Sequence, residues 1–284
     1  MGTLYVVGTP IGNLGDMSKR AINILSSVSL IACEDTRVSV NLLRYFNINN
    51  KLVSYHKFNE QEKSSYLIDI LKNDQDIALI SDAGCPCISD PGSILVKGCL
   101  DNGISVVAIP GSSAIITALM VSGMDTRSFA FYGFLERENK KIEESLMKIK
   151  NDSCNLSVIY ESPKRIIKTL NKIEEVLGDV SVCVCNDLTK KFEKKYYGKI
   201  ANVKEEMLNN ENYELGEYVI VIEKSENTIN EESEQVSMEA LLVDTLLKNN
   251  CTMKEAIKLV SEKYSYSKNS VYNASLNLKK MFDK

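Results

Sequence analysis

The sequence predicts an α/β protein whose N-terminal part is built on a parallel sheet. Its 284 residues, 44% hydrophobic and 25% charged, have the composition of a globular chain long enough for about two domains. Short apolar runs alternate with amphipathic stretches through the first 125 residues, and polar, Gly- and Pro-rich segments follow several of the runs. Strands that alternate with helices form parallel sheets joined by right-handed crossovers.

Five predicted strands in this region are the apolar runs at 4–7, 30–33, 52–55, 77–80 and 106–109. Helical spacing predicts helices near 17–28, 37–46, 60–72, 92–102 and 113–122, the last two stopped by Gly103 and Gly123. In parallel sheets of this kind, ligands bind at the carboxyl ends of the strands. The loops at 8–16, 34–37, 56–60, 81–92 and 110–114 are therefore the expected site of function.

A second unit with a mixed sheet is predicted from strands at 129–134, 156–160, 182–185, 192–198 and 218–222, with helices at 138–150 and 163–176. These patterns predict a parallel-sheet domain at 1–125, a second α/β domain at 126–223, an acidic linker at 224–236 and a helical tail at 237–284. Tail helices are expected at 237–248, 253–260 and 270–278. A basic helix-turn-helix module and a docking or dimerising cap both fit this tail.

Composition excludes several classes of protein. A formal net charge of -4 excludes a uniformly basic protein that coats nucleic acid, and a single histidine excludes a multi-histidine metal site. The eight cysteines form no C-x-x-C pair, and the N-terminus lacks the pattern of a secretion signal, so we expect reduced thiols and a cytoplasmic location. The uncharged stretch between Asp101 and Asp125 has the length of a membrane span, but Pro110 and Gly111 interrupt it and favour a strand, a turn and a helix.

The strand-end loops do not match the common nucleotide-binding motifs. Gly8, Gly12 and Gly15 are spaced too widely for a dinucleotide fingerprint, and no phosphate-binding P-loop sequence is present. In the loop at 81–92, Asp90 precedes a proline and is predicted to cap the next helix. Asp82 stands at the end of a buried strand, and two interpretations are open for it: it contacts a ligand, or it stabilises the turn. Ser112 or Ser113 is predicted to cap the helix after the fifth strand.

Six ordered motifs carry a family resemblance over residues 3 to about 223. They are TPIGN at 9–13, ACEDTR at 32–37, SDAGCPCISDPG at 81–92, PGSSA at 110–114, YESPKR at 160–165 and GEYVIV at 216–221. Together they closely resemble the branch of the tetrapyrrole methylase superfamily that methylates small-subunit ribosomal RNA, and the tail looks like that branch's C-terminal extension.

This resemblance implies a two-domain α/β methyltransferase that binds S-adenosylmethionine in the cleft between its domains and releases S-adenosylhomocysteine. It further implies a homodimer that acts on 16S rRNA of the 30S subunit, where the product is a 2′-O-methylated cytidine in the decoding region. Neither a metal ion nor a membrane is implied.

The resemblance also implies the residues that bind the cofactor. In the first domain they are Pro10, Asp82, Ala83, Ile88, Ser113 and Ala114, and in the second domain they are Glu161 and Leu188. Related proteins often carry threonine at position 85 and glycine at position 87, where this chain has cysteines. A hydroxyl contact from position 85 is therefore not expected.

Methyl transfer to a ribose benefits from a base that accepts the hydroxyl proton. The candidates for this base are Asp35, Glu161 and Lys190. Arg37 is better suited to binding a phosphate group of the substrate. Asp35 is equally interpreted as the N-cap of the helix that follows it. The lone His56, on the third strand-end loop, is either a structural residue or a substrate contact.

Two alternative functions remain open from the sequence. A porphyrin or corrin methylase shares the fold and the cofactor but needs an apolar substrate trough. A DNA-binding regulator that senses a ligand explains the tail but leaves the strand-end loops without a reactant. Lysines at 187–199, at 164–172 and in the tail favour an RNA substrate.

Overall fold

The computed structural model describes residues 1–224, 237–249, 251–264 and 266–282, with residues 280–282 described as backbone only. The chain divides into two compact units, Met1–Ser225 and Glu226–Lys284. Most of the predicted linker, from residue 225 to 236, lies outside the described residues.

The first sheet has five parallel strands in the order β3-β2-β4-β1-β5. The strands are β1 (Thr3–Val7), β2 (Leu30–Cys33), β3 (Leu52–Ser54), β4 (Ile77–Ile80) and β5 (Ser105–Ile109). The helices that follow them are α1 (Lys19–Ser27), α2 (Thr36–Tyr45), α3 (Glu60–Lys72), α4 (Ser93–Asp101) and α5 (Ala114–Val121). The predicted parallel α/β architecture is confirmed.

Alternating side chains of these strands build one apolar core on each face of the sheet. In β4, Ile77 and Leu79 belong to the core beneath α3 and α4, whereas Ala78 and Ile80 belong to the core beneath α1 and α2. A strand covered on both faces is apolar throughout, and all four residues of β4 are buried. The uncharged stretch after Asp101 forms β5 and α5, and no helix of the described residues is both long and apolar enough to cross a membrane.

The second sheet is mixed, in the order β6-β7-β10-β8-β9, with only β6 and β7 parallel. Its strands are β6 (Phe129–Phe134), β7 (Leu156–Glu161), β8 (Ser181–Asn186), β9 (Lys194–Lys199) and β10 (Tyr218–Glu223). Its helices are α6 (Asn139–Asn151), α7 (Ile166–Leu177) and α8 (Ile200–Leu208). The sequence interpretation missed α8, although Ile200, Val203 and Met207 are buried at helical spacing.

Helix α5 joins the two sheets into one body. Ile115, Ala118 and Leu119 on α5 pack against Val158 of β7 and Val221 of β10, on the face of the second sheet opposite α6, α7 and α8. This packing places the carboxyl end of the first sheet beside the end of β7 and the start of β10.

The C-terminal unit contains α9 (Met238–Asn249), α10 (Met253–Lys263) and α11 (Lys268–Phe282) around a small apolar core that includes Leu242, Val260 and Val271. Thr252 and Glu255 form a reciprocal capping box at the start of α10. All three predicted tail helices are present.

Candidate active site

A cavity of about 410 Å³ lies between the carboxyl end of the first sheet and the second sheet. Its lining residues come from the loops after β1, β4 and β5, and from the second domain around β7, β8 and β10. They are Ile11, Asp82, Ala83, Gly84, Cys85, Ile88, Ser89, Asp90, Ser113, Ala114, Phe134, Tyr160, Glu161, Ser162, Pro163, Leu188, Gly216, Glu217, Tyr218 and Val219.

Backbone contacts tie the loops of the first sheet together. Thr9 and Gly84 exchange two backbone hydrogen bonds of 2.8 and 3.2 Å, which join the loop after β1 to the loop after β4. Gly8 lies against Gly111 so closely that a Cβ on Gly8 would be 2.8 Å from the Gly111 Cα. Glycine at both positions lets the backbones of two loops meet and support a common wall of the cavity.

Ser113 and Ala114 form the cavity wall at the start of α5. The Ser113 hydroxyl accepts from the Ile116 backbone N–H at 3.5 Å, and its carbonyl accepts from the Thr117 hydroxyl at 2.8 Å. Ser113 is thus the N-cap, one of the two capping residues that the sequence predicts. Pro10, by contrast, is buried behind the wall, and its neighbour Ile11 lines the cavity instead.

The loop after β4 brings Asp82, Ala83 and Ile88 to the cavity with exposed side chains. Asp82 Oδ1 accepts a 3.0 Å hydrogen bond from the Asp35 backbone N–H, which connects this loop to the loop after β2. Cys87, at the position where the resemblance implies glycine, has a φ of +70°, in the left-handed region that favours glycine.

The prediction that Asp90 caps the next helix is wrong. Helix α4 begins at Ser93, and Gly92 occupies the N-cap position, where its N–H donates to Glu60 Oε1 at 3.0 Å. Asp90 instead lines the cavity and is half-buried. Burial, with a contribution from the nearby Asp82 charge, raises the pKa of Asp90 from 3.8 to about 6. The Asp-Pro-Gly sequence fits a helix start, and the burial that distinguishes Asp90 arises only in the fold.

Glu161 is buried at the end of β7, and its carboxylate is surrounded by donors. It accepts from the Ser162 N–H at 2.7 Å and from the Thr169 hydroxyl at 2.6 Å, and Arg165 lies 3.4 Å away. Because these groups enclose the carboxylate, Glu161 orders the segment of cavity wall that includes Ser162.

Aromatic and aliphatic side chains from the second domain complete the cavity. Leu188 and Tyr218 are buried, and Phe134 is in contact with Tyr160 at a ring-centroid distance of 5.4 Å. Burial, followed by the Asp90 charge, raises the pKa of Tyr160 to about 12. The sequence interpretation did not assign these aromatic residues, although Tyr160 and Tyr218 both stand within the quoted motifs.

The remaining candidates for a base lie outside the cavity lining. The Lys190 ammonium contacts Asp187 at 2.6 Å and Glu217 at 2.9 Å. Burial alone lowers the pKa of Lys190, but these hydrogen bonds outweigh burial and raise it. Lys190 is therefore held as a cation.

Asp35 is the N-cap of α2 and forms a forked pair with Arg37. Its Oδ1 accepts from the Arg37 backbone N–H at 2.8 Å, and Arg37 Nη2 lies 2.6 Å from Oδ2. Hydrogen bonds from the Arg37 side chain and then from its backbone lower the pKa of Asp35 to about 2. The Arg37 side chain remains 88% exposed, so the guanidinium can still meet a phosphate.

A family model described as tetrapyrrole (corrin/porphyrin) methylases matches residues 3–204. The chain belongs to the tetrapyrrole methylase family. Two curated relatives bear the name ribosomal RNA small subunit methyltransferase I. The protein from Bacillus subtilis is 42% identical over 96% of this chain and 94% of its own. The protein from Haemophilus influenzae is 40% identical over 97% of this chain and 96% of its own.

Solved structures with this tetrapyrrole methylase fold cover most of the chain at low sequence identity. Diphthine synthase matches with a TM-score of 0.59 and 13% identity, over 79% of this chain and 90% of that structure. Uroporphyrin-III C-methyltransferase from Thermus thermophilus matches with a TM-score of 0.55 and 15% identity, over 81% and 96%. These likenesses confirm the two-domain fold that the motifs predict.

The cavity fits S-adenosylmethionine, the methyl donor of this tetrapyrrole methylase family. Its volume of about 410 Å³ is in the range of small-molecule sites. Gly84, whose φ of +81° favours glycine, is among the lining residues. Tyr160 and Leu188 offer flat and aliphatic surfaces for a purine, and the Asp82 carboxylate suits an ammonium group. Among the described residues, no group of three or more metal-ligating side chains lies together.

A larger side chain at position 83 is expected to weaken cofactor binding. Overfilling a packed space costs about 1–3 kcal/mol, so we expect Ala83→Trp to raise the Kd for S-adenosylhomocysteine by about 10- to 100-fold. Calorimetric titration measures this change. Ala201→Trp, on an exposed alanine of α8, is the matched control and should bind like the parent protein. Equal affinity of both variants would contradict the assignment of Ala83 to the cofactor site.

Proposed function

We propose that this protein transfers a methyl group from S-adenosylmethionine to the 2′-hydroxyl of a cytidine in the decoding region of 16S rRNA. The observation that carries the proposal is the similarity, over nearly the whole of this chain, to proteins named ribosomal RNA small subunit methyltransferase I. A cavity lined by residues of the motifs quoted from this sequence supports it. We propose that the methyl acceptor is the 30S subunit. We also propose that the protein acts as a homodimer in the cytoplasm.

Positioning is the main contribution that the cavity makes to this reaction. The bound cofactor supplies an electrophilic methyl group on a sulfonium, which becomes a neutral thioether when the ribose oxygen takes the methyl. Loop backbones around Gly84 and Ala114 hold one side of the site, and Ser162 and Leu188 hold the other. A site closed by two domains fixes the line of attack and excludes water, which accounts for a large part of the acceleration.

Asp90 is the group that we propose accepts the proton of the ribose hydroxyl. A base works best when its pKa is near the working pH, and the half-buried Asp90 has a pKa of about 6 within the cavity lining. The alternatives are less suited to this role. Glu161 is enclosed by donors, Lys190 is held as a cation and Asp35 is a weak base with a pKa of about 2.

The lysines of the two predicted segments differ in how accessible their side chains are to RNA. Lys195 pairs with Glu193 and Lys172 pairs with Glu143, and only 29% and 19% of these two lysine side chains is exposed, so neither is well placed to contact RNA. Exposed cations in the two predicted segments include Lys164, Lys168, Lys191 and Lys194. We propose that they and Arg37 contact phosphates and that the cofactor cavity opens toward this surface. Contact of the C-terminal helices with RNA is part of the same proposal.

Removing the Arg37 guanidinium is expected to weaken RNA binding without changing cofactor binding. The logarithm of the binding constant for small-subunit RNA falls linearly with the logarithm of the salt concentration. We expect Arg37→Ala to make this slope shallower by about one unit, because one phosphate contact is lost. Filter binding from 50 to 200 mM salt measures the slope. Arg127→Ala is the matched control, because Arg127 is another exposed arginine that pairs with an aspartate two residues away. An unchanged slope for Arg37→Ala would remove this residue from the RNA surface.

The proposed reaction is tested with methyl-labelled S-adenosylmethionine and four acceptors. These are 30S subunits, naked 16S rRNA, a porphyrin precursor and duplex DNA. We expect label in the RNA alone, within one dinucleotide that resists alkaline cleavage because its 2′-oxygen is methylated. Label in the porphyrin precursor would instead identify a tetrapyrrole methylase, and binding to duplex DNA with no transfer would favour a regulator.

A further inference from the structure

Phe58 is the most exposed large apolar side chain in the described part of the chain, at 95% of its full surface. It stands on the loop between β3 and α3, beside the exposed Lys57, and its ring lies 6.1 Å from the ring of His56 at 65°. Single exposed apolar residues are common on protein surfaces, so exposure alone has little meaning. The position of this residue relative to the cavity is what makes it informative.

The Phe58 loop belongs to the same sheet edge as the cofactor cavity. Strands β3, β2 and β4 are adjacent, and their last residues Ser54, Cys33 and Ile80 are in register. Two strand spacings separate Ser54 from Ile80, or roughly 10 Å. Glu60, two residues after Phe58, accepts the hydrogen bond from Gly92 at the end of the cavity loop. The start of α3, which follows the Phe58 loop, is therefore tied to the end of the loop that lines the cavity.

The surroundings of Phe58 suit a nucleobase better than a protein surface. The loop residues next to it, His56, Lys57 and Asn59, are polar or charged, so the ring has no apolar neighbours on its own loop with which to form the core of a protein interface. An exposed ring beside cations is the usual arrangement for binding single-stranded RNA, in which bases stack on aromatic faces and cations hold the backbone. Arg37, in the first turn of α2, supplies a second exposed cation along the same edge.

We infer that Phe58 is a stacking platform for an unpaired base that lies near the target nucleotide in the substrate RNA. This inference rests on the proposed function, because it assumes that RNA is the acceptor. The reacting nucleotide meets the cofactor where the cavity opens to the surface, and the edge from Arg37 to Phe58 holds its neighbour. A duplex cannot offer a free base face, so the region of RNA bound here is single-stranded or becomes so on binding.

The test compares Phe58→Ala, Phe58→Trp and Tyr45→Ala in the 284-residue protein. Tyr45 is a control because it is a 63% exposed aromatic at the far end of α2, away from the loops. Each variant is assayed for methyl transfer to 30S subunits and for S-adenosylhomocysteine affinity. We expect Phe58→Ala to raise the KM for the subunit by about 5- to 150-fold, the range that base stacking on an aromatic ring contributes, with cofactor Kd unchanged. Phe58→Trp should restore the parent KM.

Other outcomes overturn the inference in distinguishable ways. A Phe58→Ala protein with the parent KM shows that no base stacks there. A change in sedimentation coefficient for Phe58→Ala alone shows that a second copy of the chain covers the ring. If the parent protein labels no RNA in any form, the proposed function fails and this inference fails with it, whereas parent activity with an unaffected variant removes only the inference.

Discussion

Asp90→Asn is expected to lower kcat for methyl transfer by about 10² to 10⁴-fold, the usual contribution of a general base. The amide has the shape of the carboxylate but cannot take a proton from the ribose hydroxyl. In the parent protein kcat should fall about tenfold per pH unit below the Asp90 pKa of about 6, because the protonated acid is inactive. The variant should lose that dependence. Single-turnover transfer to 30S subunits between pH 5 and 8 measures both effects.

The same substitution is expected to stabilise the fold above pH 6. Because burial raises the folded-state pKa of Asp90 from 3.8 to about 6, the ionised form is the unfavourable one in the native protein. The contribution of Asp90 to the free energy of unfolding of the parent is therefore greatest below about pH 4. That contribution is lost as the pH rises through 6. Because solvent screens a half-buried carboxylate, we expect Asn to add only about 1–2 kcal/mol to the free energy of unfolding at pH 7.5 and nothing near pH 4.

Asp101→Asn is the matched control for both measurements. Asp101 is an exposed carboxylate at the end of α4 that pairs with Lys97 across one helical turn. Its removal should leave kcat within a factor of about two and stability within about 0.5 kcal/mol. A kcat of Asp90→Asn close to that of this control would show that the proton leaves by another route.

Glu161→Ala is expected to lower the free energy of unfolding by about 3–5 kcal/mol. The change removes a buried acceptor from the Ser162 N–H and the Thr169 hydroxyl, and it deprives Arg165 of its counter-charge. Breaking a buried pair by deleting one member is costly because the remaining groups lose solvent without gaining a partner. Cofactor affinity should fall as well, since the segment that Glu161 orders is part of the cavity wall. Urea denaturation and calorimetry measure the two effects.

Glu143→Ala provides the comparison for Glu161. Glu143 pairs with Lys172 at 2.8 Å, but its side chain is 45% exposed, so its loss should cost at most about 1 kcal/mol and leave cofactor affinity unchanged. Glu161→Gln should be intermediate, because one carbonyl oxygen still accepts while the amide group faces Arg165. A Glu161→Ala protein as stable as Glu143→Ala would mean that the enclosed carboxylate contributes little to the native state.

Much of the fold and the location of the site could be predicted because they depend on local patterns. Apolar runs such as 77–80 identify buried strands, and turn-forming residues after them identify loops that line the cavity. Ser113 was predicted as one of two caps because a helix needs an acceptor at its first turn. Ordered motifs then indicated the tetrapyrrole methylase family, which residues 3–204 match.

The roles of individual charges could not be predicted because they depend on partners distant in the sequence. Gly92, and not Asp90, is the N-cap of α4. Its N–H donates a hydrogen bond to Glu60, 32 residues earlier in the chain. Lys190 is a candidate base by residue type, yet Glu217, which precedes β10 in the chain, helps to hold it as a cation. Sequence periodicity by itself determined the strands, the strand-end loops and the helices other than α8. The tertiary structure alone decided which charges are buried, paired or left facing the cavity, because burial and ion pairing require contacts that sequence spacing does not encode.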